Sequence, residues 1–148
     1  MNRIVAALVT ATAVGSLLAG CGGDSPYCAA VKENQKALET FNATPSTKTY
    51  TTYAKAVKAI RDEAPAAVKS DWTKLGTAID GVLAAQKKAD IALEDVADTS
   101  KVEQLDSDDL ATLKKAYDAF NKTAPQRKAI VADIQKTCDV SLAPDKEK

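Results

Sequence analysis

Apolar residues recur three and four positions apart along four stretches of this chain, the period of one face of a helix. The first stretch opens at Ser25-Pro26, a cap residue followed by a proline in the first turn. Its apolar face is Cys28, Val31, Leu38 and Phe41, interrupted by Gln35, and residues 42–47 end it. The second carries Tyr50, Tyr53, Val57 and Ile60 and stops near Pro65, because a residue before proline avoids the helical region. The third is the longest: Val68, Trp72, Leu75, Ile79, Val82, Gln86, Ala89, Leu93 and Val96 alternate spacings of four and three. That seam predicts one helix over 65–97, weakened by Gly76 and Gly81 by about 1 kcal/mol each. Residues 98–105 read as a linker. Asp106 or Ser107 then caps a fourth segment, with Asp108 and Asp109 placed well for a first turn. Leu110, Leu113, Tyr117, Phe120, Ile130, Val131, Ile134 and Cys138 are its apolar face, and Pro125 predicts a kink or brief break with the axis roughly continued.

Strand signals are weak. Residues 47–53 hold several threonines and two tyrosines, but their neighbours keep the helical period, so they belong to the second helix. The fold expected is all-α, an antiparallel bundle of about four helices over 25–142, with 143–148 as a disordered tail. A hairpin of two long helices is the alternative topology. The length suits one domain with one core.

A different pattern occupies the start. After Arg3 an uncharged apolar run extends from Ile4 to Gly20, with small residues at its end, the layout of an export signal. It is short for a retained membrane span and is diluted by Thr10, Thr12, Gly15 and Ser16. The run closes on Leu18-Ala19-Gly20-Cys21, which resembles the lipobox of bacterial lipoproteins. That resemblance implies a diacylglyceryl (palmitate-type) anchor on the Cys21 thiol, cleavage after Gly20, and residence on the outer face of the cytoplasmic membrane. Two or more acyl chains hold a protein stably on a bilayer, whereas one holds it marginally. Residues 21–24 then serve as the lipidated cysteine and a flexible spacer. The positive region is thin, with Arg3 and the amino terminus alone. In style the remainder resembles the small helical lipoproteins of high-GC Gram-positive bacteria.

If Cys21 is lipidated, Cys28 and Cys138 remain of the three cysteines, and export places them where a disulfide persists. A bridge between them would join the first and last helices. In the chain-entropy model a loop on the order of 100 residues gives up to about 4.7 kcal/mol.

Composition narrows the chemistry. The chain has 20 basic and 20 acidic residues; losing Arg3 with the signal leaves 19 and 20, mixed along the sequence. No basic stripe marks nucleic-acid binding, and Lys87, Lys88, Lys114 and Lys115 read as solvated faces. The absence of histidine removes a histidine-based triad and the Glu-x-x-His pattern of helical di-iron sites. There is no phosphate-loop or dinucleotide motif and no C-x-x-C. Two carboxylate groups, Glu94/Asp95/Asp98 and Asp106/Asp108/Asp109, lack the spacing of a calcium loop and are expected to serve helix starts and solvated faces. No metal and no cofactor are expected.

Tyr50, Tyr53 and Trp72 fall on adjacent predicted helices and could wall a pocket, with Gln35 and Gln86 at seam positions either lining it or sitting at the bundle edge. Their helical spacing favours core positions. The expected role is a non-enzymatic binding or interaction module in the envelope, its partner an envelope protein, a cell-wall polymer or a small apolar ligand. The alternatives are a structural spacer, or an enzyme working through carboxylate, lysine or tyrosine.

Overall fold

The computed structural model describes residues 25–40 and 46–142. Five helices of fifteen residues or more build it: α1 (Pro26–Thr40), α2 (Thr47–Glu63), α3 (Ala66–Lys88), α5 (Ser107–Asn121) and α6 (Ala124–Cys138). A 3-10 turn (Leu93–Asp95) and the single-turn α4 (Thr99–Val102) lie between α3 and α5.

The helix starts follow local chemistry. Ser25 Oγ accepts from the backbone N–H of Cys28 at 3.1 Å, beside Pro26 in the first turn. Ser46 and Thr49 form a reciprocal capping box at the start of α2. Asp106, not Ser107, caps α5, and its carboxylate accepts from Asp108 and Asp109 N–H at 2.9 and 2.8 Å. Pro125 sits in the first turn of α6, where its missing donor costs nothing. The fourth segment is therefore two helices with a brief break at Lys122 and Thr123.

Neighbouring helices run antiparallel. The sulfurs of Cys28 and Cys138 lie 2.03 Å apart, a disulfide tying the first turn of α1 to the last residue of α6. Lys88, at the end of α3, meets Asp109, at the start of α5. Tyr27 on α1 bridges Trp72 near the start of α3 to Asp133 near the end of α6. So α5 and α6 descend in succession along α3, and α1 closes the ring between α6 and α2. The main core holds Trp72, Ile60, Leu75, Ile79, Ile134, Val31, Val57 and Val82, all essentially inaccessible to solvent. A second, smaller core gathers Ala85, Ala89, Ile91 and Leu113 at the far end from the disulfide.

Three expectations are corrected here. The third helix stops at Lys88, not near 97. Asp90 takes a left-handed conformation (φ 48°), and the N–H groups of Asp90 and Ile91 return to the carbonyls of Lys87 and Gln86. These two bonds are the Schellman closure of a helix end. Leu93 and Val96 still pack against the bundle, but from a returning segment and not from the helix. The linker over 98–105 contains α4, capped by Asp98 accepting from Ser100 N–H at 3.0 Å. On the last segment, Leu110 and Val131 face outward, 43% and 36% exposed, so the apolar face read there is too wide. Phe41 lies outside the described residues.

Candidate functional site

Leu18, Ala19, Gly20 and Cys21 lie outside the described residues, and so do the expected signal and tail segments. No helix among the described residues is long and apolar enough to cross a membrane.

The aromatic trio separates. A Cβ at Gly76 would stand 3.6 Å from Val57, so these two residues are level on α3 and α2. With antiparallel axes, Tyr50 is level with residue 83 or so, some eleven positions beyond Trp72. At 1.5 Å per residue that is an offset of roughly 16 Å. All three side chains are buried, but they belong to opposite ends of the core. Trp72 Nε1 donates to Tyr27 Oη at 3.3 Å, and that hydroxyl donates to Asp133 at 3.0 Å. Burial pushes the Tyr27 hydroxyl well above the ordinary tyrosine range; Trp72 opposes this and the Asp133 charge adds to it. The face read from the sequence omits Tyr27, although it lies four residues before Val31 on that same face and is 3% exposed.

At the other end, Tyr50 meets Phe120 edge-on, ring centroids 5.9 Å apart, and the Arg127 guanidinium lies 4.8 Å over the Phe120 ring. Burial raises the Tyr50 hydroxyl, assisted by Tyr117 and Tyr53 and opposed by Arg127. Beside them Gln86, 3% exposed, donates from Nε2 to Tyr117 Oη at 2.9 Å. Burial raises Tyr117, and the Gln86 bond opposes it. The other half of the Gln86 amide, Oε1, is buried without a partner among the described residues, as is Arg127 Nε. A buried polar atom left in that state costs about 1–3 kcal/mol. Thr123 is also buried, but its hydroxyl is satisfied by the Phe120 carbonyl at 2.6 Å. The Gln86–Tyr117 bond thus joins α3 to α5, and Arg127 of α6 packs over Phe120 of α5 across the break in the last segment. Gln86 holds a seam position and is buried, not at the bundle edge; its pairing with Tyr117, 31 residues away, carries no sequence signal. Gln35 is half-buried instead, and bonds Glu39 one turn along its own helix at 2.7 Å.

The carboxylates serve structure. Asp106 and Asp98 cap helices, and those backbone and side-chain bonds hold both carboxyls below the usual range. Asp95 pairs with Lys101 and Asp109 with Lys88. Glu94 accepts from the backbone N–H and hydroxyl of Thr47 at 2.8 and 3.1 Å, and the N–H bond lowers its carboxyl most. Among the described residues no three His, Cys, Asp or Glu side chains converge as metal ligands would.

Comparison with protein families, with characterised proteins and with solved structures finds no match to this chain.

Proposed function

We propose that the protein is a lipid-anchored, extracytoplasmic binding module, held on the outer face of the cytoplasmic membrane through Cys21 and acting without catalysis. The observation that supports it most is the division of its three cysteines. One ends the apolar run at Leu18-Ala19-Gly20-Cys21, and the other two are paired in the fold. A lone paired bridge fits an oxidising compartment, and the lipobox resemblance supplies the anchor. Cys28 follows Cys21 by seven residues, so the bundle would be tethered at its disulfide pole. A fully extended residue spans at most ~3.6 Å, which holds that pole within about 25 Å of the bilayer. The opposite pole, with the small core and the 89–106 segment, would face away from the membrane toward partners. Acids held in helix caps and ion pairs, and tyrosines lifted in pKa by burial, are poor general acids or bases near neutral pH. That supports binding over catalysis.

The test is the membrane distribution of the Cys21→Ser protein in its host. Loss of membrane retention with the fold intact is the expected result. Retention through acyl chains in that variant would remove the anchor from the account. Turnover of a defined substrate by the purified protein would remove the non-catalytic part.

A further inference from the structure

The connection between α3 and α5 is eighteen residues, 89–106, and holds no helix longer than one turn. Connections longer than about 12–15 residues are uncommon inside a compact domain, and this one has only two single turns of its own. Its apolar residues do not join the body of the main core. Ile91, Val96, Val102 and Leu105 pack with Ala85, Ala89 and Leu113 in the separate small core. Leu93 alone reaches the main cluster. A side-chain tie to the body is Glu94, which binds the first N–H of α2 at Thr47, while Thr47 Oγ1 accepts from Leu93 N–H at 2.9 Å. Tyr117 touches both cores, and its hydroxyl holds the Gln86 amide, whose other half has no partner among the described residues. The segment therefore packs into the same small core as Tyr117, next to the buried Gln86 amide, whose Oε1 has no partner among the described residues.

We propose that residues 89–106 are a strap that opens over a ligand site, with Gln86 and Tyr117 as its polar floor and Ala85 and Leu113 as its apolar wall. The proposal rests on the binding-module reading and gives it a location. The ligand class follows from the floor. Gln86 Oε1 accepts, so the ligand presents a hydroxyl or amide donor. The wall carries no charge, so the remainder of the ligand is neutral and apolar. Opening would proceed as a local unit, leaving the disulfide pole and the main core folded.

The test is hydrogen exchange on the purified full chain, with acetanilide (an aromatic ring bearing one amide) as the probe. Amides of 89–106 should exchange faster than those of α2 and α3, and acetanilide should slow them. Glu94→Ala, which removes a charged hydrogen-bond acceptor, should speed strap exchange by about tenfold. Gln86→Leu should abolish the acetanilide effect, whereas Gln35→Leu should keep it. Exchange of 89–106 at the rate of α3 would overturn the strap. Absence of an acetanilide effect, or an equal effect in Gln86→Leu, would overturn the site. A missing anchor would show in the mass of the chain and leave these rates unchanged, so the two readings fail separately.

Discussion

At the scale of single residues, the disulfide pole depends on one hydroxyl. Tyr27 accepts from the indole of Trp72, which is wholly buried, and donates to Asp133. Tyr27→Phe keeps the ring and its packing but strips the buried Trp72 indole of its acceptor and leaves Asp133 with Thr137 alone among the described residues. Leaving such groups unsatisfied costs about 1–3 kcal/mol. Urea unfolding should show that loss with an unchanged slope; a midpoint equal to that of the parent would mean the chain of bonds contributes nothing. A second residue-scale result concerns Asp90. Its left-handed backbone is tolerated by aspartate and penalised by about 1–2 kcal/mol for a residue with an ordinary Cβ. Asp90→Val should be destabilised by that much and Asp90→Gly not at all. Equal melting temperatures for the two variants would contradict the Schellman end of α3.

At the scale of elements, what periodicity could reveal was the buried face of each helix. Val68, Trp72, Leu75, Ile79 and Val82 are all buried as their spacing requires. What it could not reveal was where α3 stops. Ala89, Leu93 and Val96 continue the heptad by position, because the returning strap must also bury apolar groups against the same bundle. Termination is set by Asp90 alone, and aspartate is only a weak sign of a left-handed residue. The break before Pro125 was legible because proline removes a donor. The candidate site was less legible. Gln86 was visible as a polar residue in an apolar seam, but its partner Tyr117 is set by how α3 and α5 align, which depends on the strap. Tyr50, Tyr53 and Trp72 looked adjacent because the antiparallel offset of α2 and α3 is invisible in spacing; the Val57–Gly76 approach sets it.

At the scale of the whole molecule, two forces act on the closed ring of helices. The bridge spans 110 residues, so opening it frees a long loop in the unfolded chain. Cys28→Ser should cost about 2–5 kcal/mol, read as a lowered melting temperature; an unchanged value would mean that the bond does not form. Protonation acts from the distal pole. Glu94, Asp98 and Asp106 have carboxyls lowered in the fold, so each contributes stability above the unfolded carboxylate range and loses it as pH falls. Melting temperature should therefore be level near neutrality and decline below about pH 4. A Glu94→Gln/Asp98→Asn/Asp106→Asn variant should decline less steeply; a parallel decline would assign the acid sensitivity elsewhere. In the proposed function one cysteine anchors this bundle, and the other two close it. The most direct test is the intact mass of the protein extracted from its host's membranes, recorded with and without reductant. The expected product is a chain lacking residues 1–20, heavier by its acyl chains at Cys21, that gains two hydrogens on reduction. An unacylated chain, or one whose mass does not respond to reductant, would contradict it.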